Sequence, residues 1–189
     1  MALADIERWN DKYASRNPHP EFAPDAILTQ YAQLLDGQGL ALDVACGVGH
    51  NALYLARCGY EVIAVDGSLT GLRYCREQLR ATPLPVHLVV ADLDHFIPPP
   101  QRFTLVLVVR YLNRPLIAHL KRALVPGGLM IYQTFNRHRL LMNPDFNPDY
   151  LLAPGEFRSL FADFEPIASN DAPDMRDPVS FWIGRRPRE

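Results

Sequence analysis

Three acidic residues stand at or just beyond the ends of short apolar runs: Asp43 within Leu40–Val44, Asp66 after Tyr60–Val65, and Asp92 after Val86–Val90. Between the first two lies Ala45-Cys46-Gly47-Val48-Gly49-His50-Asn51-Ala52, a glycine-bearing turn leading into a helical pattern. Glycine suits such a turn because a side chain there would occupy the space of a bound nucleotide. A carboxylate about one strand–helix unit further on, as Asp66 is, can accept both hydroxyls of a ribose. If the three runs are parallel strands, their carboxyl ends share one edge, and Asp43, Asp66 and Asp92 converge on one crevice.

Gly47-x-Gly49-x-x-Ala52 also satisfies the fingerprint of nicotinamide and flavin dinucleotides. Asp43 distinguishes the ligands by charge, since it repels a pyrophosphate and attracts the ammonium and sulfonium of S-adenosylmethionine. At about 4 Å and an effective dielectric near 20, one such pair is worth on the order of 4 kcal/mol before desolvation. The Tyr-x-x-x-Lys spacing of many hydride-transfer enzymes is missing, the only lysines being Lys12 and Lys121. The expected activity is therefore in-line methyl transfer from S-adenosylmethionine to a small molecule, leaving S-adenosylhomocysteine. An NAD(P)-dependent oxidoreductase and a non-catalytic nucleotide-binding scaffold or sensor are the alternatives.

The elements around these residues alternate between helical and strand periodicity, which implies an α/β, Rossmann-like, doubly wound sheet with helices on both faces. Two helices precede the sheet, one over Asp5 to Ser15 and one opened by Pro24-Asp25, carrying Ile27, Leu28, Tyr31, Leu34 and Leu35, and closed by Gly37. Strands follow over 40–44, 60–65, 86–90, 103–109 and 129–135, with helices over 52–58, from the Ser68 cap, and from Pro115 to the stop at Pro126-Gly127-Gly128. The proline-rich 94–101 link reads as loop. After a polar stretch to Pro154 come a short helix near 156–161 and strands over 164–168 and 179–184. The link between those two strands is too short for a helix, so they pair antiparallel. One domain over 1–189 is expected, with N-terminal helices over 1–38, a cofactor-binding core over 40–135, and a substrate-side loop and final strands over 136–189.

The acidic strand end, Gly-x-Gly, second-strand acid and Pro-Gly-Gly, in that order, make the chain resemble the class I S-adenosylmethionine-dependent methyltransferases. Trp9 with Lys12-Tyr13, and Asp43-Val44-Ala45-Cys46-Gly47, look like the small tellurite-resistance-type and thiol-type members. The resemblance implies a seven-stranded sheet with its last strand reversed. It implies that Asp43, Ala45, Cys46, Gly47 and Gly49 hold the methionine part, that Asp66 with Gly67 holds the ribose, and that Asp92 and Leu93 flank the adenine. Arg110 would line the pocket near the methyl group. Ala45 and His50 depart from the pattern, which often has glycine there.

Trp9, Tyr13, Tyr111, Asn136 and His138 are the candidates to meet the methyl acceptor, and His138 is the one candidate base. Core packing accounts equally for Trp9 and Tyr13, four apart on one helix face. Arg110-Tyr111-Leu112-Asn113 lacks the Asn/Asp-Pro-Pro-aromatic signature of nucleic-acid amino methyltransferases. Nineteen basic against twenty-one acidic residues supply no broad positive field, which argues against bulk nucleic-acid binding. Arg185, Arg186 and Arg188 read as a solubilising tail.

Cys46, Cys58 and Cys75 have neither CxxC nor Cys/His spacing, so no metal site or disulfide framework is expected, and Cys46 reads as a loop filler. Prolines, among them Pro18, Pro20 and Pro173, gather at connections. No apolar run is long enough for a membrane helix, and Met1-Ala2-Leu3-Ala4-Asp5 lacks a basic, then apolar, leader, so a cytoplasmic location is expected. Nothing in the sequence specifies the oligomeric state.

Overall fold

The computed structural model describes residues 3–15, 23–171 and 177–188. Pro18, Pro20 and Pro173 lie outside the described residues. Seven strands form one sheet: β1 Leu40–Val44, β2 Glu61–Asp66, β3 Val86–Val90, β4 Phe103–Val109, β5 Leu124–Phe135, β6 Glu165–Ser169 and β7 Val179–Arg185. Their order is β3-β2-β1-β4-β5-β7-β6. β1 and β3 run parallel to β2, and β4 parallel to β5, while β7 runs antiparallel to both β5 and β6. The flanking helices are α1 Leu3–Ala14, α2 Ala26–Gln30, α3 His50–Arg57, α4 Leu69–Ala81, α5 Arg114–Ala123 and α6 Glu156–Leu160. This is the expected Rossmann-like architecture with a reversed final strand. Chain contacts divide it into two compact units, Met1–Phe96 and Ile97–Glu189.

In the first unit, β1 is buried from Ala41 to Val44, and edge strand β3 is half-exposed. Ser68 caps α4 through its hydroxyl, which accepts from the Gly71 N–H at 3.1 Å. The helix expected between Pro24 and Gly37 is shorter than its periodicity suggests. Asp25 caps α2 by accepting from the Ile27 N–H, and Tyr31, at φ −112°, ends the helix before a 3-10 turn over Ala32–Leu34. Ile27 and Leu28 are the buried residues of α2, so packing supports a single turn there. Asp36 then accepts from the Tyr60 hydroxyl at 2.9 Å, fixing the entry into β1.

In the second unit, Asn113 caps α5 by accepting from the Leu116 N–H at 3.0 Å, with Pro115 in the first turn. β5 begins at Leu124, so Pro126-Gly127-Gly128 lies inside the strand and does not precede it. The chain after β7 explains why. The Gly127 N–H donates to the Arg186 carbonyl, and the Arg186 N–H to the Gly128 carbonyl, both at 2.9 Å. The Arg185 guanidinium donates to the Gly127 carbonyl and that of Arg186 to the carbonyls of Arg122 and Leu124. Arg185 and Arg186, expected only to solubilise, therefore pin the start of β5. Asp171, nearly buried, accepts from the N–H groups of Gly155 and Phe157 and from the Ser180 hydroxyl, joining the start of α6 to β7.

Candidate functional site

Asp43 ends up inside the protein because β1 is buried on both sides of it; its exposure is 1%. It takes a hydrogen bond from the backbone of Ala52 in the first turn of α3, a helix whose N-cap, Gly49, offers no side chain. Asp43 Oδ2 is buried with no hydrogen-bond partner. Burial first, and the neighbouring Asp66 second, push the Asp43 carboxyl up to about 8. An unpartnered carboxylate in such a place is costly until a cation or donor reaches it.

The turn after β1 is built from left-handed backbone: φ is +57° at Ala45, +58° at Gly47 and +85° at Gly49. Ala45 holds this conformation despite its methyl, where strain is of order 1–2 kcal/mol. Glycine at 47 and 49 has a steric cause as well. A Cβ on Gly47 would stand 2.6 Å from the Tyr13 hydroxyl, and one on Gly49 would stand 2.2 Å from Cys75 Sγ. Burial raises the Cys46 thiol well above its ordinary range and pushes Cys75 up to about 12, so both stay protonated and inert.

Asp66, at the end of β2, latches this turn. Its Oδ2 accepts from the Gly47 N–H and its Oδ1 from the Ser68 N–H, each at 2.7 Å. Burial raises its pKa against the pull of these bonds. The Gly67 backbone supplies a third bond, which leaves the two oxygens about one lone pair between them. Replacing Asp66 with Ala should strand three backbone donors, lower thermal stability, and weaken cofactor binding by about 1–3 kcal/mol. Calorimetric titration checks this, and unchanged affinity would remove Asp66 from the site.

α1 covers the same turn. Ile6 lies against Gly67, and Tyr13 against Gly47 and Gly71. Asn10 Oδ1 accepts from the Ser68 hydroxyl at 2.6 Å and from the Thr70 N–H at 3.2 Å. Trp9 and Tyr13 stack with ring centroids 5.6 Å apart, and Lys12 Nζ sits 3.9 Å from the Trp9 centroid. Asn10 is a contact that sequence reasoning missed; its only signal was an amide bordering the aromatic face of α1.

Asp92 takes a different posture. It accepts from the Asp94 N–H at 3.0 Å and meets His95 Nδ1 at 2.8 Å, with 39% of its side chain exposed. Leu93 beside it is fully buried. The first unit thus brings together Asp43, Ala45, Cys46, Gly47, Gly49, Asp66 and Gly67 under Ile6 and Tyr13, with Trp9 stacked on Tyr13 and Asp92 on its own turn after β3.

The remaining candidates belong to the second unit. Arg110 follows β4, exposed and at φ +59°. The Tyr111 hydroxyl accepts from Asn113 Nδ2 at 3.3 Å. Asn136 is fully buried: its Nδ2 donates to the Asp177 carbonyl and the Ser180 hydroxyl, and its Oδ1 accepts from the His138 N–H. These bonds tie the end of β5 to β7 and position His138. His138 Nε2 is buried without a hydrogen bond, as are Arg139 Nε and Gln133 Oε1 close by in sequence, the last a position the sequence did not single out.

Residues 41–128 match the family described as a methyltransferase domain. No curated protein matches the chain. Among solved structures, one described by the conversion of a disulfide bond into a thioacetal group during echinomycin biosynthesis is 23% identical, with a TM-score of 0.72, covering 98% of this chain and 93% of that one. TehB from Haemophilus influenzae is 16% identical with a TM-score of 0.71, covering 96% of this chain and 66% of that one. A geranyl diphosphate C-methyltransferase from Streptomyces coelicolor A3(2), solved with S-adenosyl-L-homocysteine, is 13% identical with a TM-score of 0.70 over 100% of both chains. These likenesses show the fold. The match over residues 41–128 supports an enzyme that transfers methyl groups, and the cofactor expected from the sequence is S-adenosylmethionine. The buried, unpartnered Asp43 oxygen beside a turn that excludes side chains fits that cationic cofactor. Among the described residues, no helix is long and apolar enough to cross a membrane.

Proposed function

We propose that the protein methylates a small molecule, with Asp43, Ala45, Cys46, Gly47, Gly49, Asp66 and Gly67 holding the cofactor, Asp92 and Leu93 beside its adenine, and Arg110 near its methyl group. The observation that carries the reading is Asp43 Oδ2, buried and without a hydrogen bond at the end of β1. Bound there, S-adenosylmethionine supplies an electrophilic methyl group on a sulfonium. Asp43 offsets the cofactor's positive charge, Asp66 keeps the turn in shape, and Trp9 and Tyr13 keep water from it. A thiolate acceptor needs no further help. For an acceptor that carries a proton, His138 Nε2 is the base that receives it as the new bond to carbon forms.

The small-molecule reading is supported by the chemistry named for two fold relatives, a disulfide-to-thioacetal conversion and a geranyl diphosphate C-methylation. The resemblance of Trp9 with Lys12-Tyr13 to the small tellurite-resistance-type and thiol-type members favours a thiol or reduced metalloid as nucleophile, with Tyr111 and Asn136 near it. We further read the chain as one functional domain over 1–189, in a reducing cytoplasm that suits three free thiols.

The test is transfer of a tritiated methyl group from S-adenosylmethionine to a panel of thiols, metalloid oxyanions, phenols and aryl carboxylates, with RNA, DNA and protein fractions alongside. Label should enter a small-molecule acceptor. Label confined to a macromolecular fraction, or binding of reduced nicotinamide dinucleotide in place of S-adenosylmethionine, would contradict the reading.

A further inference from the structure

Within the second unit, the end of α5, the residues before β6 and the chain after β7 line a cleft of about 410 Å³ beside the start of β5. Its charged walls are Lys121, Arg122, Asp163 and Arg186, and its apolar walls include Phe164 and Pro187. Arg110, Tyr111 and Asn136 follow β4 and β5 at the carboxyl ends of these parallel strands. The cleft therefore lies at the other end of the same strands.

Three cations share one acid in this cleft, and Lys121 takes it. Its Nζ donates to Asp163 Oδ1 and, at 3.0 Å, to the Leu160 carbonyl. Arg122 Nη2 donates to His119 Nδ1 at 2.9 Å, and Arg186 Nη1 donates to the carbonyls of Arg122 and Leu124. Neither guanidinium has a carboxylate among its described contacts. Each has committed a single nitrogen, so most of the five N–H donors on each fork are unspent. Arg188 brings a further cation, lying over Gly127, whose N–H donates to the Arg186 carbonyl. Like charges held together repel, and an anion between them would reverse the sign of that interaction.

We propose that this cleft binds a small phosphomonoester, with its phosphate on Arg122 and Arg186 and its organic part against Phe164 and Pro187. Such a group carries about −1.5 to −2 charge near pH 7, which matches the excess of three cations over one carboxylate. The planar fork of a guanidinium meets two phosphate oxygens at once. Volume selects the size, since the cleft falls within the roughly 300–1,000 Å³ of small-ligand sites and exceeds what a bare phosphate fills. Asp163, with 64% of its side chain exposed, stands against a long polyanion. The assignment uses the second unit alone and is independent of the cofactor reading.

The full-length protein is titrated calorimetrically with phenyl phosphate, ribose 5-phosphate and glycerol 3-phosphate, with phenol, ribose and glycerol, and with inorganic phosphate. At least one monoester should bind about tenfold or more tighter than its parent alcohol, and tighter than inorganic phosphate. Arg122→Met should weaken that binding by about tenfold, and Arg122→Lys by less. Both variants should unfold at the wild-type urea midpoint, because the one side-chain bond described for Arg122 is to His119. In the wild-type protein, the bound monoester should shield Arg122 and Arg186 from phenylglyoxal, read by mass spectrometry, while the exposed Arg57 and Arg80 react as before. Binding of no monoester, inorganic phosphate as tight as any of them, affinity untouched by Arg122→Met, or no shielding of the two arginines would overturn the proposal. So would a single-stranded RNA that binds more tightly than every monoester.

Discussion

Replacing Asp43 with Asn should weaken S-adenosylmethionine binding on the order of 80-fold at about pH 7 while making the unliganded protein more stable. The charge pair is worth about 4 kcal/mol at 4 Å. Ionising a carboxyl of pKa about 8 at that pH costs about 1.4 kcal/mol, so about 2.6 kcal/mol remains to be lost. Asn keeps an oxygen for the Ala52 N–H and so preserves the start of α3. Because the cofactor draws a proton off Asp43, wild-type affinity should rise about tenfold per pH unit below about 8 and level off above it, and the variant should lack this slope.

The stability effect has the opposite sign. Between its ordinary value of 3.8 and about 8, Asp43 keeps its proton in the folded protein and loses it in the unfolded chain. Stability therefore falls as pH rises through that window, by at most about 6 kcal/mol. Asn has no proton to lose, so the melting temperatures of variant and wild type should diverge from about pH 4 to about pH 8. Parallel curves would mean that Asp43 is already ionised in the unliganded protein.

Gly49→Ala should cost about 3 kcal/mol or more of stability and abolish cofactor binding. The new methyl would stand 2.2 Å from Cys75 Sγ and 2.8 Å from its Cβ, at a φ of +85° that disfavours any L side chain. Overpacking contributes about 1–3 kcal/mol and the backbone about 1–2 kcal/mol. The two contributions separate in a double variant: Cys75→Ala removes the nearest clash and should recover part of the loss, leaving the backbone cost. Urea unfolding midpoints report both, and a Gly49→Ala protein as stable as wild type would contradict the packing described.

The sheet was readable because its strands announce themselves. β3 and β4 are apolar runs bounded by prolines and polar residues, and their limits agree with the periodicity. β5 was read five residues too short, because Pro-Gly-Gly is a local stop signal overridden by the pairing of Gly127 and Gly128 with Arg186, far along the chain. The second helix was read too long for the converse reason: its apolar face is continuous, yet only Ile27 and Leu28 find cover. In the site, the positions of Asp43, the glycine turn and Asp66 followed from motif spacing. That both oxygens of Asp66 bind the turn itself did not, since hydrogen-bond partners are set by side-chain direction. Nor could sequence show that Asn136 is fully buried, or that Gln133, His138 and Arg139 leave polar atoms unmatched. Those facts depend on how β5 and the following turn fold onto each other.

The central claim is that a buried, protonated Asp43 becomes the counter-ion of a cationic methyl donor. It is tested most directly by titrating the protein with S-adenosylmethionine at about pH 7 in two buffers of different ionisation heat. With a pKa of about 8, close to one proton should leave the wild-type protein per cofactor bound, and none the Asp43→Asn variant. Cofactor binding with no proton released, or no binding at all by folded wild-type protein, would contradict it.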